Sequence, residues 1–308
     1  MPMKLKIWIA LLTVYIFWGG TYLAIRFAVE TIPPFLMAGT RFLLAGAILY
    51  IWRRAAGDPA PTRGQWLRAS VVGLLLLLGG NGLVSLAEQN VASGVAALIV
   101  GSVPLWMTGI EALRPGGVRP HLLGLLGLVA GFGGIALLVA PSLMGGNAVN
   151  SHPLAVIILL FAAFFWSLGS IYSRSAHLPD SSLLSTGMEM LAGGVGLYLA
   201  GTFTGEWGQL VLVHITARSW FAMLYLILFG SMAGYTAYAW VLRAAPVSLV
   251  ATYAYVNPLV AILLGSLFAQ ETLTVHVLIS AVIIIGSVVL INSARRARPP
   301  APAVVARE

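Results

Sequence analysis

Apolar runs of about 20 residues, the length a helix needs to cross a hydrocarbon layer of about 30 Å, recur from one end of this chain to the other. The runs are continuously apolar, whereas the strands of a membrane barrel alternate in segments of about ten residues, so helices are predicted. Ten runs lie near residues 7–29, 34–52, 66–88, 92–112, 120–140, 153–174, 181–204, 219–242, 246–269 and 273–293. Of the 308 residues, 59% are hydrophobic and 8% charged, against roughly half and a quarter in a soluble globular domain. The longest connections, 53–65, 141–152 and 205–218, are shorter than the roughly 50 residues a soluble domain requires. The fold class is therefore all-α integral membrane. Lys4 and Lys6 precede the first run, which is too long for a signal peptide and has no small-residue cleavage site after it, so it is expected to remain as a helix.

The net charge of +8 raises the question of nucleic acid, and its distribution answers it. With ten crossings, 14 of the 17 basic residues fall on one face, in the segments around Lys4, Arg53, Arg114, Arg174, Arg243 and Arg295. Lys and Arg are retained on the cytoplasmic side, so both termini are expected there and the basic excess is a topology signal, with no nucleic-acid partner. Residues 295–308, rich in proline and arginine, are expected to form a disordered cytoplasmic tail beside the lipid bilayer.

The chain also repeats itself. At an offset of 148, Phe17, Trp18 and Arg26 fall on Phe165, Trp166 and Arg174, and Gly39, Leu43, Gly46, Leu49 and Tyr50 on Gly187, Leu191, Gly194, Leu197 and Tyr198. Eight identities in these 22 positions exceed the roughly one in ten that biased composition gives by chance. Farther along, an offset of 154 aligns Trp66 with Trp220 and Pro104 with Pro258. Each half then holds five spans, and an odd number makes the second half enter from the opposite side. The sequence predicts two inverted five-helix repeats around a central cavity, residues 1–148 and 149–294, an arrangement met in secondary transporters.

Ionisable residues inside a membrane are site candidates because an unpaired charge there costs several kcal/mol. Arg41 lies inside the second run, Glu189 occupies the matching position of the other half, and Glu88 ends the third run. Each of the first two also has a structural reading, as a snorkelling or helix-capping side chain. Asn81, Ser85 and Glu88 share one helix face by their spacing, which fits either cavity lining or interhelical bonding. Trp18 and Tyr22 follow one side of the first run, with Trp166 the duplicate of Trp18, while Tyr235 and Tyr238 follow one side of the eighth. Aromatics in membranes more often pack or form interface belts, but Trp18 and Tyr235 lie too deep for a belt, and such rings suit a partly wet cavity for organic solutes. Pro104 and Pro258 each remove a helical hydrogen bond mid-span and are the candidate hinges.

The stretches GTYLAIR, AGTRFLLAG, NGLVSLAEQNVASGVAALI and TYAYVNPLVAILLG resemble the EamA-type permeases of the drug/metabolite transporter superfamily, most closely their YedA-like branch, over roughly residues 7–291. The resemblance implies ten helices in two inverted halves, a location in the bacterial inner membrane and export of small metabolites or drugs. It implies a cavity formed by runs 1, 3, 4, 6, 8 and 9, which adds Trp106, Tyr253 and Asn257 to the candidate lining. The glutamate that such proteins often carry after runs 4 and 9 is present as Glu271, while the first-half position is Gly117.

The expected function is a secondary transporter working by alternating access, exporting amino acids or similar amphipathic solutes. No Walker A stretch is present, and proton coupling through Glu88 or Glu189, uniport and exchange all remain open. A passive pore or membrane scaffold is the alternative. A membrane enzyme is disfavoured, because His121, His152, His177, His214 and His276 fall at run ends or in connections without an HExxH or paired-Asp motif. No catalytic residue, metal site or cofactor is expected, and the partners are a small-molecule substrate and lipid, with a homodimer as one assembly state to consider.

Overall fold

The computed structural model of the chain describes residues 2–114, 122–143 and 152–296. Gly117, Arg119, His121, the repeat boundary at 148 and the tail beyond 296 lie outside the described residues. The helices are α1 (Met3–Ala28), α2 (Pro34–Ala55), α3 (Arg63–Ala87), α4 (Ser93–Leu113), α5 (Leu122–Leu143), α6 (Pro153–Ser175), α7 (Ser182–Phe203) and α8 (Ala217–Ala244). They are followed by α9, in the two pieces Val247–Val250 and Tyr253–Phe268, and by α10 (Val275–Arg296). Among the described residues α1 to α8 are long and apolar enough to cross a membrane, and Tyr253–Phe268 and Val275–Ile291 are shorter apolar helices.

Local sequence sets the starts of these helices. Thr62 and Gln65 form a reciprocal capping box at the start of α3, and Ser181 and Thr216 cap α7 and α8 by accepting from Leu184 N and Ser219 N. Prolines 34 and 153 sit in the first turns of α2 and α6, where a missing N–H costs nothing.

The interiors are less regular than the apolar runs predict. Within α3 the stretch Leu74–Gly82 is π-helical, and within α8 so is Leu226–Tyr235. Wide turns of this kind often mark functional positions, because they shift the face that each side chain presents. The break in α4 falls at Gly101–Ser102, just ahead of Pro104, which then sits in the first turn of the piece Val103–Leu113. In α9 the break falls at Ala251–Thr252, and Pro258 lies inside the following piece. The two broken helices meet near these points, since a Cβ on Gly101 would lie 3.3 Å from the Ala254 carbonyl oxygen, the acceptor that Pro258 leaves free.

Helix α2 packs along α7, and α5 along α10. The α2–α7 contact is reciprocal and uses the duplicated residues. A Cβ on Gly39 would come within 2.7 Å of the Tyr198 ring, and one on Gly187 within 2.9 Å of Tyr50 N. Close helix approach at small residues is how membrane helices gain packing energy without a hydrophobic drive between them. Buried apolar residues form two large clusters. One gathers Ile25, Ala28, Val91, Leu98 and Leu159, and the other Leu11, Val14, Leu76, Val241 and Leu242. The candidate site lies where the clusters meet.

Candidate functional site

Helix α1 carries Trp18 and α6 carries Trp166 to the middle of the protein, where the rings meet edge to face with centroids 5.4 Å apart. Each indole lies against the π-helical stretch of the other half. A Cβ on Gly80 would fall 2.8 Å from Trp166 Cε3, and one on Gly234 2.5 Å from Trp18 Nε1, so both positions must lack a side chain for the rings to seat. The Trp18 indole N–H donates to Gly230 O at 3.0 Å, giving a carbonyl of the π stretch a side-chain donor. The Trp166 N–H donates to Tyr238 Oη at 3.2 Å. Tyr238 and Tyr253 complete the aromatic group, with centroids 4.9 and 5.7 Å from Trp18.

A cavity of about 50 Å³ opens beside this group. Of the residues expected to line it, Trp18, Tyr22, Asn81, Trp166, Tyr235 and Tyr253 do so, together with Arg41. Thr21, Phe42, Gly80, Val84, Val100 and Gly230 line it as well. Sequence reasoning passed over these small and apolar residues because nothing in their chemistry separates lining from packing. Four expected lining residues stand outside the wall. Ser85 is buried and donates back to Asn81 O, Tyr238 is buried against both indoles, and Asn257 is buried with its Oδ1 unpartnered. Trp106 packs on Phe132 and Phe164. It lies beyond the break in α4, whereas Val100, on the near side, reaches the cavity.

Three buried ionisable residues bear on the site, and Arg41 among them lines the cavity. Arg41, 2% exposed, donates from Nη2 to Asn81 Oδ1 at 2.9 Å and sets its guanidinium 4.2 Å from the Phe42 centroid. Glu189, at the duplicate position, accepts from Tyr235 Oη at 2.8 Å, and Tyr235 is the duplicate of Asn81. Each half thus ties a charge on its second helix to a polar side chain at the end of its π stretch, with opposite sign. Glu88 is 1% exposed, and neither carboxylate oxygen meets a donor in hydrogen-bonding geometry.

The helix ends are held by a second set of polar contacts. Glu271 accepts from Ser93 N at 2.7 Å and Gly94 N at 3.1 Å, capping α4, and lies 3.6 Å from Arg26 Nε. Arg26 also donates to Val91 O at 2.8 Å, while its duplicate Arg174 donates to Leu242 O at 2.7 Å. A hollow of about 470 Å³ opens at the Arg26 and Glu271 end, lined also by Gln89, Asn90 and Gln270. Glu206 caps α2 by accepting from Phe35 N and Leu36 N, and burial raises its carboxyl above the ordinary value. Its duplicate Asp58 is held down to about 2 by hydrogen bonds from Arg53 and then from the α7 cap, Ser181. These caps were missed from sequence because a lone carboxylate in a connection carries no sign of which helix end it will reach.

The inner membrane transporter YedA of Escherichia coli (strain K12) is 38% identical over 297 residues, covering 96% of this chain and 93% of that protein. Transporter YvbV of Bacillus subtilis (strain 168) is 26% identical over 286 residues, with 93% and 91% covered. A solved structure described as "Crystal structure of protein" superposes with a TM-score of 0.66 at 20% identity, covering 94% of this chain and 98% of its own, and is alike in fold. The model of the EamA-like transporter family matches residues 5–140 and 153–293. With those two segments matched, the chain belongs to the EamA-like transporter family.

Proposed function

We propose that this protein is a secondary transporter of the inner membrane, with both termini cytoplasmic, that exports amino acids or similar amphipathic solutes by alternating access. The observation that carries the reading is the central cavity, walled by residues of both halves and only about 50 Å³ in volume. Ligand pockets usually measure about 300–1,000 Å³, so in this reading the cavity is contracted and the halves move apart to admit a solute. The reciprocal α2–α7 contacts, the paired π stretches and the crossed partnership of Asp58 and Glu206 with the α7 and α2 starts all support two inverted five-helix repeats. The moving parts in this reading are the broken helices α4 and α9, with Pro104 and Pro258 beside or within the pieces that swing.

Counterflow in proteoliposomes tests the mechanism. Unlabelled amino acid inside the vesicle should accelerate uptake of the labelled one, as a carrier with alternating access requires. Equal uptake with and without internal solute would identify a pore. Cysteine labelling that places the two ends of the chain on different sides of the bilayer would reject the repeat arrangement.

A further inference from the structure

The cavity wall contains one cation with donors to spare. Arg41 is 2% exposed and lines the cavity, yet only its Nη2 finds an acceptor, Asn81 Oδ1, while Nε and Nη1 have none. A charged donor buried without an acceptor costs more than a neutral one, so retaining it calls for a group that arrives to accept. Among the described residues Arg41 is in no ion pair; the pairs there join Arg26 with Glu271, Arg53 with Asp58 and Arg218 with Glu30. Glu88 exerts an attraction on Arg41 but is not part of the cavity wall.

The rest of the wall supplies the complement. Trp18, Trp166 and Tyr253 offer ring faces and edges, and Asn81 fixes the guanidinium from one side. We propose that Arg41 is the anchor for a carboxylate on the transported solute, and that the three rings receive the solute's apolar or aromatic body. The proposal deepens the transporter reading given above and rests on it, because it assigns the recognised group within the same cavity. A guanidinium meets a carboxylate through two N–H donors at once, which fixes orientation as well as charge. The same positive charge disfavours solutes whose only charge is an ammonium, so recognition turns on the carboxylate and not on the amine.

Four compounds of one shape separate these demands: phenylalanine, 3-phenylpropionate, phenylalaninamide and phenethylamine. Binding to the purified full-length chain is read by calorimetry, and counterflow by the same compounds is read in proteoliposomes. Phenylalanine and 3-phenylpropionate should bind, and the two compounds lacking a carboxylate should bind at least about tenfold more weakly, the loss expected for one charge-assisted hydrogen bond. R41Q should lose about tenfold or more in affinity for 3-phenylpropionate, and R41K should retain part of it. Should R41Q fail to fold, the comparison of carboxylate with amide on the unaltered chain still decides. Equal binding of phenylalanine and phenylalaninamide, unchanged affinity in a folded R41Q, or no binding by either carboxylate would overturn the assignment. Counterflow of phenethylamine would do so while leaving the transporter reading intact. Arg41-dependent carboxylate binding without counterflow by any compound would instead retain the anchor and reject transport.

Discussion

Trp18 and Trp166, 148 residues apart, meet with their rings 5.4 Å apart and steeply inclined at 80°. The relationship connects the repeated sequence to the site, because each ring is seated by a glycine of the opposite half, Gly234 for Trp18 and Gly80 for Trp166. Gly80→Ala places a methyl 2.8 Å from Trp166 Cε3, so the indole must shift. Overpacking of this kind costs about 1–3 kcal/mol and should lower both thermal stability and counterflow rate. Gly109→Ala is the control: it sits within α4 with open space around its Cβ and should be neutral or stabilising by up to about 1 kcal/mol. Equal effects of the two substitutions on unfolding temperature would remove the seating role of Gly80.

The duplicated positions were legible in the sequence because they carry distinctive side chains, Trp, Arg, Tyr and Gly, at a constant offset. The α2–α7 contact uses those matched residues, with Gly39 against Tyr198 and Gly187 against Tyr50. The π stretches were not legible, since Leu74–Gly82 and Leu226–Tyr235 are as apolar as any α-helix and the wider turn, with its i→i+5 bonds, leaves no mark in composition. That omission affects the polar face of α3. Asn81, within the π stretch, lines the cavity; Ser85, in the regular turn after it, bonds back to Asn81 O, and Glu88 is buried outside the wall. The break in α4 at Gly101–Ser102, beyond which Trp106 packs on Phe132 and Phe164, was not legible either.

Glu271 joins three helices, capping α4, following α9 and facing Arg26 of α1. Glu271→Ala should remove the cap at a cost of about 0.5–2 kcal/mol. It should also loosen this end of the protein, read as faster modification of a cysteine placed at Asn90 in the adjoining hollow. Glu271→Gln keeps an acceptor but not the charge, and should fall between the two. If cysteine reactivity is the same in all three proteins, the contact does not hold that end closed.

Asp58 provides a pH dependence whose sign follows from its partners. Hydrogen bonds from Arg53 at 2.6 and 2.9 Å hold its carboxyl at about 2, against about 3.9 in an unfolded chain. The folded form therefore gains stability above about pH 4 and loses it as the pH falls toward the folded value. Asp58→Asn should be less stable than the parent near neutral pH and converge with it in acid. Unfolding curves at several pH values in detergent measure the difference. A gap that persists unchanged at about pH 2 would mean that the charge on Asp58 is not its source.

Glu88 is fully enclosed, and neither oxygen meets a donor in hydrogen-bonding geometry. Glu88→Gln should leave expression and folding intact, because it replaces a buried ionisable carboxyl with a neutral amide of the same size. Counterflow should be impaired if the carboxylate takes part in the transport cycle, and its dependence on pH should flatten. Equal rates for parent and variant at every pH would eliminate Glu88 as a coupling residue.

Tyr235 stands between the cavity and Glu189, lining the one and donating to the other at 2.8 Å. Tyr235→Phe keeps the ring and removes the donor, leaving Glu189 with neither oxygen satisfied, since Oε1 already lacks a partner. Stranding a buried carboxylate in this way costs about 1–3 kcal/mol or more, so the loss should appear in thermal stability. Tyr235→Ala also removes the ring and should alter substrate preference. Competition profiles against a labelled substrate separate the two effects: a stability loss in Tyr235→Phe with an unchanged profile, and a changed profile in Tyr235→Ala, assign the hydroxyl to Glu189 and the ring to the solute. An unchanged profile in both would remove α8 from the recognition surface.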